Sequence, residues 1–145
     1  MGQARKVLVT GASGLLGSCF LEYAPHHWDI TGICFKNKNI SGNLIPLDIS
    51  DAHSVRNFIS DNKFDLIIHC AALRDPDYCY RNQKETLAVN VTGTANVVSA
   101  AAEINAQLVY ISTDYVFSGE NPPYNEGSEV CPVNFYGKSK LLGEE

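Results

Sequence analysis

Residues 10–17 read Thr-Gly-Ala-Ser-Gly-Leu-Leu-Gly, with glycines at 11, 14 and 17. The stretch before them, 6–10, is Lys-Val-Leu-Val-Thr, a β-branched run that reads as a strand. The stretch after them carries Leu15, Leu16, Cys19 and Phe20 at helical spacing as far as Tyr23, and Pro25 stops it. A chain that passes from strand to helix this abruptly needs residues without a Cβ. The helix start then offers unpaired N–H groups and a positive dipole end. Read alone, three glycines mean only a tight turn with close helix–strand packing. Set between a strand and a helix, they predict a site for the pyrophosphate of a dinucleotide, contacted by Gly11, Ser13, Gly14, Leu15, Leu16 and Gly17.

The rest of the chain keeps the same alternation. Strands are predicted over 29–35, 43–47, 64–70 and 107–112. A helix capped by Ser50 or Asp51 runs to about Asn62 with Val55, Phe58 and Ile59 inward. A long helix is predicted over 84–105 with Leu87, Val91, Ala95, Val98 and Ala102 along one side. Residues 113–134, rich in Pro and Gly, read as a long functional loop, and another helix opens at Phe135 or Tyr136. Strands separated by helices imply an α/β fold, a doubly wound parallel sheet of order 3-2-1-4-5. Ligands of such sheets bind beyond the carboxyl ends of the strands where the order reverses, here between strands one and four. An acidic residue at the end of the second strand would select NAD. This chain has Cys34-Phe35-Lys36-Asn37-Lys38 there instead, so Lys36 and Lys38 are candidates to pair with the 2′-phosphate of NADPH, with NADH the alternative.

The second half narrows the class. Residues 112–117 are Ser-Thr-Asp-Tyr-Val-Phe and residues 136–140 are Tyr-Gly-Lys-Ser-Lys. With the three glycines they resemble the extended short-chain dehydrogenase/reductases, and among those the dTDP-4-dehydrorhamnose reductases. Residues 121–126, Asn-Pro-Pro-Tyr-Asn-Glu, and 132–144 are also typical of that family. The same signature is similar to the regulatory β subunit of methionine adenosyltransferase, which shares the fold and binds the cofactor but serves as a partner subunit. Epimerases and dehydratases acting on sugar nucleotides would carry the same catalytic set.

The resemblance implies a Rossmann-type NAD(P)-binding domain over 1–145, reducing a 4-keto-deoxy sugar nucleotide in the cytoplasm. Thr113, Tyr136 and Lys140 would be catalytic. Tyr136 would protonate the ketone oxygen, and Lys140, one helical turn on, would hold the nicotinamide ribose and lower the phenol's pKa. Moving a tyrosine from ~10 to near 7 takes about 4 kcal/mol of differential stabilisation. Thr113 would hydrogen-bond the substrate oxygen. Asp48 and Ile49 would meet the adenine, Cys70, Ala71, Ala72 and Leu73 would line the cofactor, and Asn90 would support the lysine through water. Ser112 would lie on the cofactor side, and Asp114, Tyr115 and Phe117 on the substrate side. Plainer roles compete for some of these: Asp48 as a turn residue, Asn90 as a packing hydrogen bond, Tyr115 and Phe117 as core aromatics. The family's substrate domain lies beyond this chain, so the expectation is a fragment that binds cofactor without turning substrate over, its fifth strand an open edge able to pair with a second copy.

Composition closes off other classes. Eleven basic against sixteen acidic residues give a net charge of -5, which argues against a nucleic-acid binder. No stretch approaches the ~20 apolar residues of a membrane span. The five scattered cysteines read as reduced, small core residues, and His69 and Cys70, adjacent on a strand, do not gather a metal site.

Overall fold

The computed structural model describes residues 4–36 and 44–145. Its strands are β1 (Arg5–Thr10), β2 (Trp28–Cys34), β3 (Ile45–Pro46), β4 (Leu66–His69) and β5 (Gln107–Tyr110). They form one parallel sheet of order β3-β2-β1-β4-β5, the predicted order. β3 is shorter than predicted, and Asn43, where it was expected to begin, lies outside the described residues, as does Lys38.

Helix α1 (Leu15–Tyr23) lies on one face of the sheet. There Val7, Val9, Leu66 and Ile68 pack with Phe20, Leu21 and Trp28. Helix α2 (Ala52–Asn62) and helix α5 (Thr94–Glu103) cover the other face, where Leu8, Ile33 and Ile67 meet Val55, Ile59, Val97 and Ala100. Asp51, not Ser50, caps α2, its carboxylate accepting from His53 N at 3.1 Å and Ser54 N at 3.2 Å. β1 and β4 are buried on both faces, which is why they read as unbroken apolar runs.

Three features depart from expectation, each for a local reason. The predicted long helix is present as α4 (Gln83–Leu87), a π-helical turn over Ala88–Gly93 and α5 in unbroken succession, but a further helix that was not predicted, α3 (Pro76–Arg81), precedes it. Asp75 caps α3 and Pro76 opens it, a start signal the sequence reading passed over. The inward side of this assembly is not Leu87, Ala95, Val98 and Ala102. Those point outward, and the buried positions are Thr86, Asn90, Thr94, Val97, Ala100 and Ala101. Half of that inward line is polar, so hydrophobic periodicity could not find it. In α1, Leu15, Leu16 and Cys19 are exposed, Leu15 by 81%, because only the Gly17, Phe20 and Leu21 side meets the sheet. Of the cysteines, Cys34 and Cys79 are buried as predicted, but Cys19 and Cys131 are exposed.

Candidate functional site

Two adjoining clefts open where the strand order reverses. The first, of about 370 Å³, runs from Gly11 and Ser13 past Cys34, Phe35 and Lys36 to Asp48 and Ile49. The second, of about 360 Å³, runs from the glycine turn past Cys70 and Arg74 to Ser112, Tyr136 and Lys140. Both share Gly11, Ser13, Ala71 and Ala72, so these residues form a saddle between them.

The saddle is built for a close approach of backbone and ligand. Gly11 has φ of 63°, and a Cβ there would lie 2.7 Å from both Ala71 N and Ala71 Cα. A Cβ on Gly17 would overlap the Gly11 carbonyl oxygen. No side chain caps the start of α1 at Gly14, and its first turn holds no acidic residue. Its leading N–H groups therefore face the saddle unpaired by any side chain, which suits a pyrophosphate. A dinucleotide fits this pair of clefts by shape and by chemistry.

In the first cleft the end of β2 presents no carboxylate. The Lys36 ammonium stands 4.5 Å from the centroid of the Phe35 ring and lines the wall. Asp48 is held in place by its own turn, Oδ1 accepting from Ser50 N at 2.9 Å and Ser50 Oγ at 2.7 Å. Phe35, Leu47, Ala88 and Val89 also line this cleft and were not predicted from sequence.

Helix α6 (Phe135–Leu141) brings Tyr136 and Lys140 to the second cleft. Asn134 starts it by accepting from Gly137 N at 2.8 Å. Asn90 then ties three elements together. Its Oδ1 accepts from Leu73 N at 2.7 Å, and its Nδ2 donates to Leu73 O at 2.8 Å and Ser139 Oγ at 2.9 Å. The π turn places this amide, and such turns are frequent at functional sites. Asn90 lines neither cleft; it fixes the loop after β4 against α6.

Tyr136 is half-buried, and burial raises its phenol above the usual tyrosine value. The Thr113 hydroxyl and the Arg74 charge pull it back, while Cys79 and Asp114 push it further up. The anticipated lowering by Lys140 is not what the geometry provides. Lys140 Nζ donates to Ile111 O at 2.6 Å and lies 3.8 Å from the centroid of the Tyr110 ring. Arg74 is the cation that acts on the phenol, and it was missed because it follows the small-residue run at 70–73 by one position. Burial lowers Lys140 itself to about 8, against the opposing pull of Glu144 and Cys70. Burial pushes the Cys70 thiol up to about 11 against the charge of Lys140, so the protonated thiol is favoured.

The other predicted substrate-side residues divide. A 3-10 turn over Asp114–Val116 sets Tyr115 edge-on to Tyr136, centroids 5.8 Å apart. Thr113 Oγ accepts from Tyr115 N at 3.3 Å and caps that turn. Phe117 stacks on Tyr124 at 4.5 Å and lines neither of the two clefts. Ser112 Oγ donates to the Glu144 carboxylate. Among the described residues no group of three His, Cys, Asp or Glu side chains gathers where a metal ion could sit, and no helix is long and apolar enough to cross a membrane.

Beneath the saddle lies His69, fully buried. Thr94 Oγ donates to Asn90 O at 2.7 Å, so at 3.0 Å it accepts from His69 Nε2. The other ring nitrogen, Nδ1, then accepts from Thr10 Oγ at 2.6 Å, and Thr10 Oγ accepts from Ala71 N at 3.2 Å. This run of hydrogen bonds requires the neutral ring protonated at Nε2. Burial, and then the charge of Lys140, hold His69 down to about 4 from the usual 6.5. Below pH 6.5 the unfolded chain gains a proton that the native ring refuses until about 4. The stability contributed is therefore full above the unfolded value and lost as pH falls toward the folded one. From pH 7 to pH 5 this group removes about 2 kcal/mol. Urea unfolding at the two pH values will show that loss, and His69→Gln will flatten it; an unchanged slope in the variant would refute the assignment.

A glycine turn at the switch point of a 3-2-1-4-5 parallel sheet, opening onto a helix that carries Tyr136 and Lys140, defines a Rossmann-type reductase fold. The RmlD substrate binding domain family matches residues 5–145, and the chain belongs to that family. It is 39% identical over 142 residues to methionine adenosyltransferase 2 subunit beta of Bos taurus, covering 97% of this chain and 42% of that protein. It is 33% identical over 144 residues to a dTDP-4-dehydrorhamnose reductase of Mycolicibacterium smegmatis, covering 98% of this chain and 41% of the reductase. The solved dTDP-4-dehydrorhamnose reductase of Bacillus anthracis, in complex with NADP, superposes with a TM-score of 0.87 at 35% identity, over 99% of this chain and 49% of that one. The chain thus spans less than half the length of these relatives.

Proposed function

We propose that these residues form the NADP(H)-binding half of a reductase acting on a 4-keto-deoxy sugar nucleotide. The observation that carries this reading is the second cleft, where the glycine turn, Tyr136 and Lys140 line one space. When bound, a reduced nicotinamide supplies a hydride. The chain's own residues do the remainder. Gly11, Ser13 and the start of α1 receive the pyrophosphate, and Lys36 pairs with the 2′-phosphate. Lys140 holds the ribose hydroxyls. Tyr136, kept protonated by its half-buried setting, carries the proton destined for the ketone oxygen. Thr113 steadies the phenol and the same oxygen by hydrogen bonding, and Arg74 favours the phenolate left behind. The 145 residues bind cofactor, and turnover belongs to the longer protein.

Calorimetry with NADPH and NADH tests this directly. NADPH should bind more tightly, and Lys36→Ala should weaken NADPH by about tenfold while leaving NADH within about twofold, as expected for one charge-assisted contact. A folded chain that binds neither cofactor sinks the proposal.

A second reading has an observation of its own, the 39% identity to the methionine adenosyltransferase subunit. In that reading the cofactor clefts are retained and the protein serves as a regulatory partner, with the Tyr136 chemistry silent.

A further inference from the structure

Lys140 poses an electrostatic problem. Its side chain belongs to a residue only 3% exposed, and among the described residues no carboxylate reaches ion-pairing distance of Nζ. Glu144 is near enough to raise the lysine's pKa, but its carboxylate accepts from Ser112. A buried ammonium without a counterion is costly unless something else compensates it.

The Ile111 carbonyl accepts from Lys140 Nζ at 2.6 Å, and the rest of the compensation comes from the last row of the sheet. Thr10, His69 and Tyr110 are register partners across β1, β4 and β5, two residues beyond the apolar row of Leu8, Ile67 and Leu108. The His69 and Tyr110 rings stack with centroids 5.8 Å apart and planes 27° from parallel. The Lys140 ammonium lies 3.8 Å from the Tyr110 centroid, well inside the range of a cation–π contact. The Tyr110 hydroxyl donates to Lys140 O at 3.1 Å, so the same residue grips the backbone of α6 and the head of its lysine. Because His69 is committed to its neutral form by Thr10 and Thr94, the stack adds no competing positive charge.

We propose that Tyr110 is a positioning residue for Lys140, its ring face taking the place of a counterion and aiming the ammonium into the second cleft. The proposal rests on the reading of that cleft as a cofactor site only for its consequence in binding; the seating of Lys140 stands apart from it. The titratable groups facing Lys140 are Tyr110 from β5, His69 from β4, Cys70 just beyond β4, and Glu144 beyond α6, and the Ile111 carbonyl accepts from its Nζ.

A graded series at position 110 tests the idea without altering shape. Tyr110→Phe removes the hydroxyl and keeps the ring. Mono-, di- and trifluorophenylalanine at the same position keep size and burial while draining the negative face of the ring. Lysine-labelled protein, with Lys140→Met to assign the resonance, gives the Lys140 titration by NMR. The Lys140 pKa should fall stepwise with fluorination, and NADPH affinity should fall in the same order, by about tenfold across the series. Urea midpoints matching that of Tyr110→Phe establish that every member is folded. A Lys140 titration that stays fixed across folded members overturns the proposal. If no member binds NADPH, the titration still decides the seating of Lys140, and only the cofactor reading fails.

Discussion

Gly11→Val should cost the fold about 3 kcal/mol or more and abolish NADPH binding by the chain. Two penalties add. A β-branched residue at φ of 63° occupies a region it rarely tolerates, worth about 1–2 kcal/mol. Its Cβ would also sit 2.7 Å from Ala71 N and 2.9 Å from Cys70 C, backbone atoms of the neighbouring strand end that cannot step aside singly. Overpacking of this kind costs about 1–3 kcal/mol. Relief requires the glycine turn to part from the loop after β4, and that junction is the saddle both clefts share. Gly119 supplies the control. It too has positive φ, at 84°, but nothing lies within 4 Å of a Cβ built there. Gly119→Ala should therefore cost only the conformational share, about 1 kcal/mol, and leave NADPH affinity intact. Urea unfolding and calorimetry on the two variants separate sterics from conformation. Equal losses at both positions would show that contact with Ala71 is not what makes Gly11 necessary.

Tyr136→Phe in the longer protein should lower kcat by about a hundred- to ten-thousandfold, the usual contribution of a positioned general acid. NADPH affinity should stay within about twofold. The ring still packs edge-on to Tyr115, and the glycine turn, Lys36 and Lys140 are untouched. What is lost is the phenol proton of the second cleft. Because burial raises the phenol, the tyrosine is held as a proton donor. Steady-state kinetics with a 4-keto sugar nucleotide reads the first quantity and calorimetry the second. Unchanged turnover in the variant would remove Tyr136 from the mechanism. A wild type without turnover, whose activation of a methionine adenosyltransferase survives the substitution, would establish the regulatory reading.

Strand order, the glycine turn and the placing of Tyr136 and Lys140 at one cleft were legible in the chain. Each is written in local signals: a strand that ends at Gly11, a helix stopped by Pro25, a Tyr and a Lys one turn apart. Alternation of strand and helix constrains a parallel sheet so strongly that order follows from chain direction and handedness. The hinge between α3 and α4 and the π turn after them carried no such signal. Asn82 leaves the helical region at φ of -124°, and the inward line passes through Thr86, Asn90 and Thr94, polar residues that a hydrophobic pattern counts as surface.

The roles within the site divided along the same boundary. Short-range geometry is encoded in order and spacing, so the residues that turn the chain at Gly11 and bring a phenol and an ammonium to one helix face could be read in advance. Electrostatic assignments depend on distance through space between residues far apart in the chain. Lys140 is turned to Tyr110 and Ile111, residues 29 or more positions away, and Arg74 becomes the cation beside Tyr136. His69 becomes an uncharged strut because the packed sheet excludes water and surrounds it with Thr10 and Thr94. Charge and pKa follow burial and neighbours, and both exist only once the chain has packed.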